Sequence, residues 1–337
     1  MVLTYNHQNY ILEHLESIKF LVETYGAGIE VDLIVNDDCS RDQTCDFVNR
    51  WLQINKNLFR NVTTLFNTKN IGTCASLNNM LEHVVAEHIK ITAGDDVYSY
   101  ENIFELIQHK PDVAFLSGRA LYLLGNQLGV NKFWDTLATV TQVIYENCSL
   151  LHRFKHFSYN NGPNIYYAAE CLMHCNVRTY LQKFDVTEDW PIQIAIAREF
   201  PRRRFHLIDE VLVYYRRTLG SAYIIASQRF VKDKILIYDD LIEQEKSLVE
   251  KIRLKNRKYL FIKNSRIINK LLNIDAYLFL LSWLARFLKI HSRVKGAKID
   301  LDRHKNHYRY ISNQAKSILE YFQRNELMAT EIKIVSP

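Results

Sequence analysis

The chain has 337 residues, 48% hydrophobic and 24% charged, with 10 glycines and 5 prolines. These proportions fit a globular protein and exclude long disordered linkers, collagen-like repeats and a disulfide-dense miniprotein. The length allows one large domain with an appendage or two domains, and the net charge of +6 matters less than its distribution.

The six cysteines (Cys39, Cys45, Cys74, Cys148, Cys171, Cys175) form no C-x-x-C pair. No secretory signal is read at the start, so reduced thiols in the cytoplasm are expected. Cys171, His174 and Cys175 offer too few ligands for zinc and read as small packed side chains. Two sequons, at Asn61 and Asn147, read as chance matches.

In chain order, Met1 to Thr4 reads as a short first strand. From Tyr10 the period turns helical, with Ile11, Leu12, Leu15, Ile18, Leu21 and Val22 on one face and Gly26 and Gly28 at its end. Glu30 to Val35 predicts a strand, followed by the acidic, cap-rich loop Asn36 to Thr44. Phe47, Val48, Trp51 and Leu52 share one helical face. Val62 to Phe66 is a third strand. Asn70-Ile71-Gly72 turns the chain into a helix bearing Leu77, Met80, Leu81, Val84 and Val85.

His88 to Asp96 then predicts a fourth strand, with Ile89 and Ile91 inward and a tight turn at Ala93-Gly94. It ends on Asp95 and Asp96. Two adjacent carboxylates repel unless a cation or donor neutralises them, and a hard divalent cation holding phosphate oxygens suits such a site. Taken alone, an Asp-Asp pair is more often a solvated turn, here before a helix that Ser99 would cap. That helix runs from Tyr100 to His109, and Val113 to Leu116 is the fifth strand.

Strand and helix alternate through about the first 120 residues, the pattern of a parallel sheet wrapped by helices. Such a sheet gathers the loops after its strands at one edge, so Thr4, Asp38, Asp95 and Asp96 are expected around one pocket. Neither G-x-G-x-x-G nor G-x-x-x-x-G-K-[ST] occurs, so phosphate must be held another way.

Further on, Asn160 to Asn164 is a strong turn signal, and Tyr166 to Met173 is an apolar run compatible with strand or helix. Thr187-Glu188-Asp189-Trp190-Pro191 opens a helix with Ile192, Ala195 and Ile196. Its acids read first as helix capping, yet a carboxylate fixed there can also take a proton from a bound hydroxyl. Phe205 to Tyr215 reads as one strand, ending in Arg216-Arg217. From about Ile224 helix formers and basic residues dominate. Residues 251–270 carry eight cations interleaved with Leu and Ile, and the aromatic, apolar block 274–290 follows. That block is too interrupted to read as a membrane span. It fits an interfacial helix or a bundle packed on the main domain, with nucleic-acid binding disfavoured for want of a motif.

Four of these segments, in order, resemble bacterial family 2 glycosyltransferases. Leu3-Thr4-Tyr5-Asn6 is similar to the family's opening "PTYN", and Val35 to Thr44 to "VDDGSTDGT". Ala93-Gly94-Asp95-Asp96 is similar to its D-x-D-type metal motif, and Glu188-Asp189 to its "ED" element. The likeness covers about 1–221. It implies an α/β fold of GT-A type, Rossmann-like, with a mostly parallel central sheet flanked by helices and a helical C-terminal region. The expected units are 1–222 and 223–337.

The resemblance also implies roles. Thr4 and Tyr5 would border the nucleotide base, with Asp38 accepting from uracil or ribose. Asp95 and Asp96 would contact the ribose and hold Mn²⁺ or Mg²⁺, Asp96 being the main ligand. Asp189 would be the general base of an inverting transfer from a nucleotide-sugar, expected to be UDP-linked, to a growing surface glycan. The sequence departs from the family at Ala93, where the first aspartate is missing, at Leu77, where an arginine is frequent, and at Thr218-Leu219, where a histidine is common. The implied partners are the donor and a glycan or lipid-linked acceptor, with a homo-oligomer and a peripheral membrane contact through 250–295. The implied location is the cytoplasm or the inner face of the membrane. The alternative is a catalytically weak or inactive scaffold of the same fold, binding a partner enzyme or the membrane.

Overall fold

The computed structural model describes residues 1–108, 112–217, 227–296 and 299–335, with side chains described up to 325 and not at 107–108. The strands are β1 (Val2–Thr4), β2 (Asp32–Asp37), β3 (Asn61–Phe66), β4 (His88–Ile89), β5 (Thr92–Ala93), β6 (Val97–Tyr98), β7 (Val113–Ser117), β8 (Leu121–Leu124), β9 (Gln127–Gly129), β10 (Ile165–Ala168), β11 (Arg204–Leu207) and β12 (Val213–Arg216). Helices α1 (Ile11–Tyr25), α2 (Thr44–Asn55), α3 (Thr73–Leu81) and α4 (Ile103–Gln108) alternate with the first seven strands. Next come α5 (Lys132–Tyr145), α6 (Leu150–Lys155), α7 (Ala169–Leu172), α8 (Cys175–Leu181) and α9 (Asp189–Glu199). The C-terminal part is helical: α10 (Gln228–Gln244), α11 (Leu248–Lys263), α12 (Arg266–Leu272), α13 (Ile274–Ala285), α14 (Phe287–Gly296) and α15 (Leu301–Val335).

The apolar period of α1 buries Ile11, Leu12 and Leu15 against β1 and β2, in a core with Phe47, Val48 and Trp51 of α2. The helix ends where Gly26 closes back onto the Val22 carbonyl at 2.9 Å. A Cβ on Gly26 would sit 2.5 Å from that oxygen, so glycine is required at this exit. Strands β3-β2-β1-β5 form a parallel sheet, as the strand–helix alternation predicts. Two further sheets continue the molecule, ordered β11-β7-β10-β4 and β6-β12-β8-β9.

Two sequence expectations change here. His88 to Asp96 is not one strand: β4 pairs with β10 and β5 with β1, and β6, just beyond Asp96, pairs with β12 in the third sheet. Phe205 to Tyr215 likewise divides into β11 beside β7 and β12 beside β8. The ambiguous run from Tyr166 is strand first and then helix. Ser99 does not cap α4; its hydroxyl donates to the Val211 carbonyl and accepts from the Glu101 amide.

The C-terminal helices share cores with the sheet layers. Ile237, Tyr238 and Leu241 of α10 pack with Trp190 and Ile194 of α9, and Ala315 and Phe322 of α15 close the core under α1 and α2. Cys171 lies in the first of these cores. Thr218, Leu219 and the 222–223 boundary lie outside the described residues.

Candidate active site

The parallel registers decide where the first half of the site lies. Thr4 aligns with Asp37, Leu3 with Ala93, and Asp37 with Phe66. The loops after β1, β2, β3 and β5 therefore leave from one edge, where open α/β sheets bind ligands. They are stitched together by the Asp38 amide on the Thr4 carbonyl (2.9 Å), the Asn67 amide on Asp37 (2.9 Å) and the Gly94 amide on Leu3 (2.8 Å). A Cβ on Gly94 would lie 3.1 Å from the Thr4 side chain and 2.9 Å from Ile11 Cδ1, so a larger residue there would crowd Thr4 and Ile11.

Each expected donor-side residue has a distinct setting. Tyr5 is exposed, whereas Thr4 is buried beneath it with a hydroxyl that has no partner among the described residues. The Asp38 carboxylate accepts from the Ile71 amide (2.8 Å), the Gly72 amide (2.9 Å) and Asn67 Nδ2 (3.0 Å). A carboxylate has about four acceptor positions, so Asp38 shapes the 70–72 loop and keeps one lone pair for a ligand. Cys39, at the glycine position of the "VDDGS" likeness, holds φ +68°, a left-handed backbone.

Asp95 and Asp96 divide sharply. Asp96 is buried; its Oδ1 accepts from the Arg216 amide at 2.9 Å, and its Oδ2 is shut from solvent with no partner among the described residues. Burial and the neighbouring Asp95 charge push its carboxyl well above the usual range, against the pull of Arg216 and Lys90. Asp95 is half-buried, and among the described residues its carboxylate has no hydrogen-bond or ion-pair partner. Of the pair, Asp95 is the more exposed, while Asp96 offers the unpartnered Oδ2. The pair fits a hard divalent cation, since an open carboxylate stands beside an orphaned carboxylate oxygen.

Arg216 fixes this turn. Its Nε donates to the Asp95 carbonyl at 2.7 Å, its NH1 to the Gly125 carbonyl at 3.2 Å, and its NH2 to Glu13. Its guanidinium also lies over the Tyr10 ring, 4.7 Å from the centroid.

Asp189 opens α9 half-buried, with Oδ1 accepting from the Trp190 amide at 2.6 Å. The chain reaches it through a turn held by α10: the buried Asp233 carboxylate accepts the amides of Asp185, Val186 and Thr187 at 2.8–3.1 Å. Glu188 stands alongside, and burial together with the Asp189 charge pushes its carboxyl up to about 8. Facing Asp189 is the predicted 160–164 turn. A Cβ on Gly162 would lie 3.5 Å from Asp189 Oδ2. Asn164 pins that turn to β12, accepting from the Leu212 and Val213 amides at 2.9 Å and donating to the Val213 carbonyl at 2.9 Å.

The two halves meet at Tyr215. Burial, then Asp96, Asp95 and Asp189 against the opposing Arg217, push its phenol up to about 12, so one side chain feels all three carboxylates. Tyr215 also begins an aromatic wall. Its ring lies 5.9 Å from Tyr122, whose hydroxyl is 2.5 Å from that of Tyr159, and Tyr159 stacks on Trp134 at 5.3 Å. Sequence reasoning passed over Tyr215, Arg216, Lys90 and Asp233. For Asp233 one signal was available: it falls three residues after Phe230 and four before Ile237, on the apolar face of its helix.

With this geometry in hand, the class defined by fold and site is a GT-A glycosyltransferase. Residues 1–157 match the model of glycosyl transferase family 2. Among solved structures the chain is similar to S. aureus TarS 1–349 in complex with UDP-GlcNAc, at 17% identity and TM-score 0.54, covering 96% of this chain and 90% of that one. It is also similar to the mannosyltransferase PcManGT from Pyrobaculum calidifontis in complex with GDP-Man and Mn²⁺, at 17% identity and TM-score 0.52, covering 94% and 86%. At these identities the likeness establishes the fold. The comparison with curated proteins found no match.

Proposed function

We propose that the protein is an inverting glycosyltransferase that moves a sugar from a UDP-linked donor to a hydroxyl of a growing, lipid-linked surface glycan at the cytoplasmic face of the membrane. The observation that supports this is that the charges of Asp95, Asp96 and Asp189 all act on Tyr215, beside the turn at Gly162 that faces Asp189. Tyr5 and the remaining lone pair of Asp38 take the nucleoside. Asp95, backed by Asp96, would hold Mn²⁺ or Mg²⁺. When bound, such a cation supplies positive charge to the diphosphate as it leaves.

In a single displacement the acceptor oxygen bonds to the anomeric carbon as the bond from that carbon to the diphosphate oxygen breaks. Attack from the face opposite the leaving group inverts the centre. Asp189 takes the proton of the acceptor hydroxyl, and the nucleoside diphosphate departs with the electron pair. The aromatic wall from Tyr215 to Trp134 offers flat apolar surface to an acceptor sugar beside Asp189. The solved neighbours in complex with UDP-GlcNAc and GDP-Man support nucleotide-sugar use without choosing the base or sugar.

The test is a screen of nucleotide sugars with Mn²⁺ or Mg²⁺, read by thermal stabilisation and release of nucleoside diphosphate. One UDP-sugar should stabilise the protein and turn over slowly to UDP. Stabilisation without turnover would favour the scaffold reading, and no response to any nucleotide sugar would reject the proposal.

A further inference from the structure

We infer that α12, α13 and the start of α14 form a docking surface for an anionic lipid membrane. Asp275 is the sole acidic residue between Glu250 and Asp300. It is buried and faces inward, accepting from Arg253 Nε at 2.8 Å and lying 3.0 Å from His156 Nδ1. The outward surface of this stretch therefore carries cations without acids. Lys289 and Arg293 turn to Glu146, just past the end of α5, while Arg266, Lys270, Arg286 and Lys295 have no carboxylate partner among the described residues.

Between these cations lies an apolar surface that no described residue covers. Ile267 is 71% exposed, Leu271 66%, Leu281 61%, Leu284 57% and Leu288 83%. The inner side of the same helices is packed: Phe279 and Trp283 rest on Val140, Val143 and Ile144 of α5, and Phe279 meets Phe157 edge-on at 5.0 Å. The platform is thus firmly seated on the body of the protein while its other face stays open. A contiguous apolar face of this kind, rimmed by one sign of charge, marks an interaction site.

The occupant follows from geometry and charge. A second copy docking by a twofold axis would bring the same face against itself and set cations against cations. A lipid surface with anionic headgroups satisfies both features at once, taking leucines into the acyl boundary and cations at the headgroups. The platform lies on the bilayer rather than crossing it. No single described helix is long and apolar enough to cross a membrane, and α12 and α13 pass that test only as a pair bent by 54°. Helix α13 is roughly 18 Å long at ~1.5 Å per residue, against a hydrocarbon core of about 30 Å.

The seat of the platform also points toward the chemistry. Asp275 holds His156, and Phe279 holds Phe157, a short step before the Gly162 turn that faces Asp189. Docking would set the Asp189 side of the site in a fixed relation to the bilayer surface. The lipid contact itself does not depend on the transfer reaction.

The test is flotation of the full chain with vesicles of phosphatidylcholine alone or mixed with phosphatidylglycerol. The chain should bind the anionic vesicles, release them as salt rises, and ignore the neutral ones. L281E/L288E should reduce partitioning by about tenfold or more, and R266E/R286E should remove most of the preference for anionic lipid. Melting temperature and nucleotide-sugar turnover in solution, read on the same samples, should stay near wild type, which separates this outcome from a failure of the transfer reading. Equal binding to both vesicle types, or anionic binding untouched by L281E/L288E, would overturn the inference. So would a dimer in light scattering that L281E/L288E dissolves while vesicles are ignored, since the face would then join two copies.

Discussion

Lys90 donates from Nζ to the Pro163 carbonyl at 2.7 Å and to the Ile91 carbonyl at 2.8 Å. The Pro163 bond joins the segment that leads to Asp95 and Asp96 to the turn that faces Asp189. Burial brings the Lys90 amine down to about 7, with the Asp96 charge opposing the shift. A lysine kept at that cost sets the spacing between donor and acceptor sides.

Lys90→Met should therefore leave UDP affinity within a few-fold while lowering kcat by roughly 10–100-fold, the usual consequence of misplacing reacting groups by about an ångström. Steady-state kinetics beside calorimetry would show the split. An unchanged kcat would remove Lys90 as a positioning residue.

Asp95 and Asp96 should respond differently. Asp95→Ala removes the open carboxylate and should abolish metal-dependent UDP binding with little change in stability, because that carboxylate supports no other described group. Asp96→Asn keeps an acceptor for the Arg216 amide and matches the neutral form that burial favours, so metal-dependent binding should survive within about tenfold. Calorimetry with Mn²⁺ that gave the reverse order would return the main ligand role to Asp96.

Glu188 and Asp189 should also separate. The folded Glu188 carboxyl is raised to about 8 from 4.5. Between those values the folded state holds a proton that the unfolded state has released, so this group makes stability fall as pH rises. Glu188→Gln lacks that proton exchange, and its melting temperature relative to wild type should climb from pH 5 to pH 8.5. It should also retain transfer if Asp189 is the base, as proposed. A pH-independent difference in melting temperature would deny the raised carboxyl.

Much of the fold was legible because its signals are local. The apolar face of α1, the acidic loop after β2 and the turn at 160–164 follow from spacing and residue type within short windows. The division of His88–Asp96 was not legible, since each piece of it is defined by a partner far along the chain: Tyr167 and Val2. The different settings of Asp95 and Asp96 were hidden for the same reason. Neighbours in sequence, they differ only because Arg216, 120 residues away, claims one of them. Resemblance located the acidic pair; burial distinguished its members.

The central claim is that Asp189 accepts the acceptor's proton across the sugar from the donor carboxylates. The most direct measurement is Asp189→Asn assayed for UDP-sugar binding by calorimetry and for glycosyl transfer on the same preparation. The account predicts donor affinity within a few-fold of wild type and transfer reduced by ~10²-fold or more. Transfer at the wild-type rate by a folded Asp189→Asn protein would contradict it.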